Sequence, residues 1–245
     1  MALLIDESTP TVSEMLSVDG SLMDVAGAEG IDLQAKIAMA RAEVLTKLQI
    51  FLMDQGEGPE ATESIVVTEP LKRWILLSAI GLSYRDGHFR HLSDRYKEKW
   101  QLYENLAAAA KEDLMRMGIG RAANAVRRPT IGAMGTVPGS LAEGSYVLAA
   151  SAVGADSAES ESSEIASFYV NGPSGIRVGP PALPDVTLRW NLYAGRTADQ
   201  LQKQNGIPLP GDQHFTLTEL QSLGGLGAGQ RPTVFTKEVR YIRRG

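Results

Sequence analysis

Apolar residues in the first half of the chain recur every three or four positions, which is the period of one face of an α-helix. Residues 31–55 follow this period, and Asp32 is placed to cap the first turn. A second helix is predicted over residues 68–87. The longest repeat predicts a third helix that starts near Phe89 and stops at Gly118, because glycine favours helix ends. Amphipathic helices need partner surfaces, so we expect these three to pack as a bundle.

After Pro129 the pattern changes to short apolar runs separated by clusters of Gly and Pro. Runs of this length and spacing, rich in β-branched and aromatic residues, predict the strands of an Ig-like sandwich. The predicted strands cover residues 145–153, 165–170, 186–194, 214–218 and 233–237. Trp190 is expected in their core. The fold class expected from both halves is α+β with two domains, an N-terminal helical bundle followed by a C-terminal β-sandwich.

Charge is unevenly distributed along the chain, whose net charge is −5. Residues 1–30 carry acids but no Lys or Arg, and these acids are Asp6, Glu7, Glu14, Asp19, Asp24 and Glu29. Basic residues gather in the connector and at the C-terminal end, at Arg121, Arg127, Arg128, Arg240, Arg243 and Arg244. Opposite charge at the two ends favours docking of neighbouring subunits over nucleic-acid binding, unless both ends are simply solvated.

These patterns together divide the chain into four expected segments. They are an acidic N-terminal arm (1–30), a helical domain (31–128), a β-sandwich domain (129–236) and a basic C-terminal tail (237–245).

The composition is that of a soluble globular protein, with 43% hydrophobic and 22% charged residues. There is no cysteine, which excludes disulfides, thiol catalysis and Cys-ligated zinc. No apolar run approaches the roughly 20 residues that span a bilayer, so no membrane contact is expected. The opening sequence MALLIDESTP has no positively charged region, so we expect no signal peptide and a product made in the cytoplasm.

Few residues suggest chemistry. His88 and His91 could share a helix face, but a two-histidine site without an evident third ligand is weak, so no metal site is predicted. The glycine-rich run 224–229 lacks the flanking strand, helix and acid that a dinucleotide loop needs. The acidic, serine-rich run 156–164 offers carboxylates for calcium, yet without ordered ligand spacing it is expected as a solvated hairpin tip. We therefore expect no catalytic residues, no cofactor and no enzymatic activity.

Two charged motifs flank the predicted turn between the second and third helices. Tyr84, Arg85 and Asp86 precede it, and Arg95 follows it. Their opposite charges could pair within the hairpin or across a subunit boundary, where exposed pairs contribute less than about 1 kcal/mol but set register and partner choice. The full set expected at a subunit or portal interface is Tyr84, Arg85, Asp86, Arg95, Arg127, Arg128, Arg240, Arg243 and Arg244.

Residues 71–118 resemble the helical core of the head-to-tail adaptor proteins of tailed phages, also called connector or head-completion proteins. In that family a Trp-containing helix ends near a Tyr-Arg-Asp element, and a long helix rich in Tyr and Lys follows. The matching residues here are Trp74, Tyr84, Arg85, Asp86, Arg95, Tyr96, Lys99 and Tyr103.

The second half resembles a fibronectin-III-like or Ig-like module of the kind that phage structural proteins often carry. The matching features are Tyr146, the Ser-rich hairpin tip and the run Trp190-Asn191-Leu192-Tyr193. This resemblance extends the expected sandwich to a named class of module.

The two resemblances imply a structural virion protein of the phage neck, between capsid and tail. Adaptors form rings, usually dodecameric, beneath the portal protein, and DNA passes through them only as cargo. The implied partners are other copies of the chain, the portal protein, the tail terminator or next neck protein, and collar or fibre proteins that the sandwich contacts. Closed rings use heterologous contacts, which an acidic head and a basic tail would suit.

Three other functions remain open from the sequence. The chain could be a peripheral tail, collar or fibre-attachment protein that uses its sandwich as a binding module, although the aromatic third helix favours a ring core. It could be a carbohydrate-binding module on a helical tether, which requires exposed aromatic residues where Trp190 and its neighbours have core-like spacing. An enzyme is the third alternative, and it lacks a convergent set of catalytic residues.

Overall fold

The chain folds into two units. The computed structural model describes residues 1–91, 94–185, 188–227 and 229–238. The helical unit consists of Ala2–Ala123 together with residues 231–238, and the β-unit consists of Asn124–Gln230 together with Met1. Along the sequence, the β-unit is therefore inserted into the helical unit, because the chain returns to the helical unit after the sandwich. These limits differ from the division at residues 128 and 236 that the sequence suggested.

Five α-helices account for most of the helical unit in the described residues. They are α1 (Val12–Val18), α2 (Leu22–Glu29), α3 (Leu33–Asp54), α4 (Glu69–His91) and α5 (Lys97–Met117), and short 3-10 turns lie at Leu4–Asp6, Pro59–Ser64 and Asp94–Tyr96. The Asp32 carboxylate accepts a hydrogen bond from the backbone N–H of Ala35 at 3.1 Å, which confirms the predicted cap of α3. The buried faces share one apolar core that includes Ile37, Trp74 and Leu114, so the expected helical bundle is present.

Residues 1–30 belong to this bundle and do not form a separate acidic arm. Leu4 and Met15 are fully buried in the shared core. Arg41, buried on α3, donates a hydrogen bond to the backbone carbonyl of Glu7 at 2.9 Å. The apolar residues that alternate with the acids decide where this segment packs, and charge alone did not reveal them.

The turn between α4 and α5 lies later than the sequence predicted. α4 continues past Gly87 to His91, so Phe89 belongs to α4 and not to the following helix. Gly87 does not end the helix; it allows a close approach, because a Cβ there would lie 3.0 Å from a ring carbon of Tyr96. α4 and α5 thus form an antiparallel hairpin that is closed at this end by a glycine and a tyrosine.

The β-unit is an antiparallel sandwich. In the described residues its strands are β2 (Met134–Leu141), β3 (Gly144–Val153), β4 (Ala166–Val170), β5 (Ser174–Val178), β6 (Arg189–Gly195), β7 (Gln202–Lys203), β8 (Leu209–Pro210) and β9 (Phe215–Leu217). Two further strands, β1 (Ile119–Arg121) and β10 (Val234–Thr236), belong to the helical unit. One sheet has the order β2-β5-β9, and the other has the order β4-β3-β6-β7 with β8 also paired to β6. Both sheets contribute to one core that contains Leu148, Ile176, Trp190 and Leu217. The expected α+β fold class and the buried position of Trp190 are therefore confirmed.

β1 and β10 pair with each other in the helical unit and take no part in the sandwich. Their register places Arg121 opposite Val234. On the other side of β1, the backbone N–H of Val66 donates to the carbonyl of Gly120 at 2.9 Å. The predicted strand at 233–237 exists, but it completes the helical unit, which explains why the domain limit expected at residue 236 falls in the wrong place.

The acidic, serine-rich segment between β3 and β4 is not a solvated tip. Ser160 and Ser163 are buried beside β3, where their hydroxyls accept the backbone N–H groups of Ala152 (2.9 Å) and Ala150 (3.0 Å). The carboxylate of Glu159 accepts a hydrogen bond from the side chain of Asn191 at 2.9 Å and also contacts the hydroxyls of two further residues, Ser151 and Tyr193. The segment therefore continues the edge of β3 through side-chain hydrogen bonds.

A buried glutamine holds the two ends of the inserted β-unit together. Gln230 is 3% exposed, and its side-chain oxygen accepts the backbone N–H of Val126 at 2.8 Å. Its side-chain nitrogen donates back to the carbonyl of the same residue. Both backbone groups of Val126 are thus satisfied at the point where the chain enters and leaves this unit.

Candidate subunit interface on the helical unit

The carboxylate of Asp19, between α1 and α2, is the centre of a polar cluster inside the helical unit. It accepts hydrogen bonds from the hydroxyls of Tyr84 at 2.7 Å and Tyr103 at 3.0 Å. The ammonium group of Lys99 lies 3.0 Å from the same carboxylate, and the Ser21 hydroxyl donates to it at 2.6 Å. Because these donors come from α4, α5 and the α2 entry, one acid connects the N-terminal helices to the α4–α5 hairpin.

The cluster keeps its charges fixed. Burial by itself would raise the pKa of Asp19, but hydrogen bonds from Ser21, Tyr84, Lys99 and Tyr103 outweigh it and hold that pKa well below its usual range. Burial, together with the hydrogen bond to Asp19, raises the pKa of Tyr103 to about 12. The carboxylate is therefore ionised and the phenol neutral at any physiological pH.

Aromatic packing accompanies these hydrogen bonds. The rings of Tyr84 and Tyr103 stack with centroids 5.8 Å apart and planes 6° from parallel. The hydroxyl of Tyr96 donates to the Glu29 carboxylate at 3.0 Å, at the end of α2. The tyrosines that carried the family resemblance, Tyr84, Tyr96 and Tyr103, are thus largely buried and support the packing of the hairpin from inside.

An open apolar groove, named here the assembly groove, lies between α4 and α5 beside the end of α1. It has a volume of about 650 Å³. Its lining residues are Val18, Glu69, Pro70, Lys72, Arg73, Leu76, Leu77, Tyr103, Leu106, Ala110, Asp113 and Met117. Leu76 and Leu77 form a buried floor, whereas the side chains of Leu106 and Met117 are 36% and 49% exposed. Exposed apolar side chains that line one groove form a candidate binding surface.

A lysine in contact with two carboxylates borders the assembly groove. Lys72 lies 2.9 Å from the carboxylate of Glu69 and 3.1 Å from that of Glu14. Its pKa is raised, first by the hydrogen bond to Glu69, despite partial burial. The groove is thus apolar inside and charged at the rim, which is the usual organisation of a protein interface.

The residues expected at an interface are distributed over both units. On α4, Tyr84 is buried, Arg85 is half-buried, and Asp86 pairs with Lys36 of α3. Arg95 lies over the ring of Tyr96 at 5.3 Å. The structure therefore brings Tyr84 and Asp86 into intramolecular contacts, within the hairpin region and to α3.

The described basic residues of the expected interface belong to both units, since Arg85 and Arg95 lie in the helical unit. Arg127 and Arg128 lie in the β-unit, where Arg127 is exposed and Arg128 is 3.4 Å from Glu164. The tail arginines Arg240, Arg243 and Arg244 lie outside the described residues.

One of the two adjacent histidines, His88, makes an aromatic contact. The ring of His88 stacks on Trp100 with centroids 5.6 Å apart. The side chain of His91 lies outside the described residues, and the described residues contain no group of three or more His, Asp or Glu side chains that could hold a metal.

Sequence reasoning missed the assembly groove and the role of Asp19. A signal for Asp19 was present, because Thr11 and Glu14 have the spacing of a capping box and predict a helix just before it. That helix would have placed Asp19 in a turn between two packed helices. The groove depends on how α4 packs against α5 beside the end of α1, which no local pattern encodes.

Comparisons with protein-family models, with curated proteins and with solved structures found no match to this chain. Among the described residues, no helix has both the length and the apolar character needed to cross a membrane.

Proposed function

We propose that this chain is a structural assembly protein whose helical unit binds a neighbouring subunit. More specifically, it would be a head-to-tail adaptor of a tailed phage, forming a ring beneath the portal protein in the neck. The observation that carries the proposal is the assembly groove, which lies on the same two helices whose sequence resembles the adaptor core. An open apolar groove with a charged rim suits a protein partner.

The interior of the helical unit supports this role. A ring subunit must present the same surface at every position, so its interface needs a rigid support. The Asp19 cluster provides that support, because it fixes α4 and α5 against the N-terminal helices directly behind Tyr103, which also lines the groove. In a heterologous ring, a different surface of the next subunit would fill the groove.

The β-unit has a separate part in this proposal. Because it is inserted between β1 and β10, it leaves the helical unit with an uninterrupted bundle. In the neck it would contact collar, fibre or capsid proteins, while the helical unit contacts the portal protein and the next neck protein. DNA would pass through the ring without being read.

The proposal is tested by the solution mass of the purified protein, measured by light scattering with and without portal protein. Leu106→Glu places a charge in the assembly groove and should abolish ring formation. Leu102→Glu is the matched control, because Leu102 is one turn earlier on α5, is 51% exposed and is not among the groove residues. We expect the control to assemble as the unchanged protein does.

Two outcomes would contradict the proposal. If both variants assemble normally, the groove is not the subunit interface. If the unchanged protein remains a monomer with portal protein but binds another virion protein or a glycan, the peripheral binding-module alternative is correct.

A further inference from the structure

Two asparagines of the chain are followed directly by glycine, Asn171 before Gly172 and Asn205 before Gly206. Both pairs lie in the β-unit, in segments that connect strands. Glycine has no side chain to shield its backbone nitrogen and restricts the backbone least, so both pairs have the same local chemistry for attack of that nitrogen on the asparagine side chain. Only the surroundings in the folded protein can make the two sites differ.

The side chain of Asn205 is held on all sides. It is 5% exposed, and its oxygen accepts the backbone N–H of Leu192 at 2.8 Å. Its nitrogen donates to the side-chain oxygen of Asn191 and to the carbonyl of Ile207, both at 2.9 Å. These hydrogen bonds must break before the side chain of Asn205 can turn towards the nitrogen of Gly206.

The side chain of Asn171 is open to solvent, in the turn that connects β4 to β5. Among the described residues, neither this side chain nor the backbone N–H of Gly172 makes a hydrogen bond. Gly172 has a φ of +69°, and a Cβ built on it would meet no atom within 4 Å. The turn therefore leaves both reacting groups accessible and has room for them to approach each other.

We propose that Asn171 is a self-modification site, which deamidates in the folded protein while Asn205 is protected. The backbone nitrogen of Gly172 attacks Cγ of Asn171, and the new C–N bond closes a succinimide ring. The bond from Cγ to Nδ2 breaks, and Nδ2 leaves as ammonia with the proton of the Gly172 amide. Water then opens the ring at either carbonyl and leaves aspartate or isoaspartate.

The product changes the turn in charge and in length. A carboxylate replaces a neutral amide, and the isoaspartate form adds a methylene to the main chain between β4 and β5, which belong to different sheets. The surface of the β-unit thus becomes more acidic as the protein ages. This inference does not depend on the adaptor function.

Peptide mapping by mass spectrometry tests the proposal on full-length protein incubated at mildly alkaline pH, with an unincubated sample digested in parallel. Trypsin cuts after Arg177 and Lys203, so the two sites fall on separate peptides. In the folded protein Asn171 should convert at least about tenfold faster than Asn205, because the hydrogen bonds of Asn205 must break first. In urea, where neither side chain is held, the two rates should agree within about threefold.

A pair of variants assigns the product to this site. Asn171→Gln keeps an amide but would have to close a larger ring, so it should abolish the acidic form that isoelectric focusing detects in aged protein. Asn105→Gln is the matched control, since Asn105 is an exposed asparagine of α5 that precedes a leucine, and it should leave the acidic form unchanged.

Three outcomes would overturn the proposal. The first is an equal rate at Asn171 and Asn205 in the folded protein. The second is a rate difference that persists in urea, which would assign it to the neighbouring sequence and not to the fold. The third is an acidic form that remains in Asn171→Gln.

Discussion

At the scale of single residues, Asp19 is the side chain that joins the polar cluster of the helical unit. Its carboxylate accepts hydrogen bonds from Ser21, Tyr84 and Tyr103 and pairs with Lys99, so four side-chain donors share one acceptor. Removing the carboxylate would take this acceptor from the Tyr103 hydroxyl, while Ser21, Tyr84 and Lys99 would keep only their contacts with one another. The energetic cost of unsatisfied donors exceeds the small net gain of each hydrogen bond.

The change Asp19→Asn should lower the free energy of unfolding at pH 7 by about 3 kcal/mol, because the amide loses the charge that the hydrogen bonds and Lys99 stabilise. Asp24→Asn is the matched control, since Asp24 is an exposed acid on α2 and its replacement should cost less than about 0.5 kcal/mol. Urea unfolding followed by circular dichroism measures both changes. Equal effects of the two substitutions would show that the cluster does not stabilise the fold.

The unchanged protein and Asp19→Asn should also differ in how their stability depends on pH. The folded state holds the pKa of Asp19 well below its usual range, whereas an unfolded aspartate titrates near about 4. A depressed pKa adds stability that is fully present above the unfolded pKa and is lost as pH falls towards the folded pKa. The stability difference between the unchanged protein and Asp19→Asn should therefore be constant from about pH 6 to 8 and should shrink below about pH 5. A difference that grows on acidification would contradict this assignment.

At the scale of elements, serine hydroxyls of the segment beside β3 accept backbone N–H groups that a neighbouring strand would otherwise accept. Changing both Ser160 and Ser163 to Ala should expose the amides of Ala152 and Ala150 to exchange and destabilise the β-unit by about 1–3 kcal/mol for each serine, because each amide loses its acceptor. Ser162→Ala is the control, since Ser162 lies between them and is half-buried. Hydrogen exchange measures the protection of the two alanine amides. Unchanged protection in the double variant would rule out this role for the serines.

The same scale shows which elements a sequence can predict. α3 and the strands β3 and β4 were predicted because each has a continuous period and ends at Gly, Pro or polar residues. β2 was not predicted, because its run MGTVPGSL contains Gly and Pro, and the pairing shifts register between Val137 and Leu141 at that point. β5 lies within a run that reads as a turn. Strands of this type are specified by their partners more than by their own residues.

The residues of the candidate site also differ in how far the sequence reveals them. Tyr84, Lys99 and Tyr103 could be singled out from the sequence, because they are among the residues that carry the resemblance to the adaptor helices. Their common partner Asp19 was missed although a capping box precedes it, because it lies more than sixty residues earlier in a segment whose acids suggested subunit docking or solvent exposure. A hydrogen bond across such a sequence separation depends on how the helices of the bundle pack, and a local hydrophobic period does not determine that packing.

At the scale of the whole molecule, the chain is one helical unit with a sandwich inserted between two paired strands. β1 and β10 lie side by side, and the backbone N–H of Thr233 donates to the carbonyl of Arg121 at 2.8 Å. The backbone N–H of Ala123 donates to the Thr233 hydroxyl at 2.8 Å. The two ends of the insertion are therefore already held at hairpin distance by the helical unit itself.

This arrangement predicts that the β-unit can be excised. Replacing residues 124–230 by a short Gly-rich turn should turn β1 and β10 into a hairpin and leave a helical protein that unfolds cooperatively, because the bundle core loses none of its residues.

The control deletes residues 129–236, an almost equal length that follows the limits suggested by the sequence. It removes β10, which leaves β1 without its partner beside the buried Ile119. Thermal unfolding by circular dichroism should give a clearly lower midpoint for this control, by roughly 5 °C or more if the loss is about 1 kcal/mol. Equal midpoints would mean that β10 is dispensable to the helical unit, and loss of cooperative unfolding in both variants would mean that the bundle requires the sandwich in order to fold.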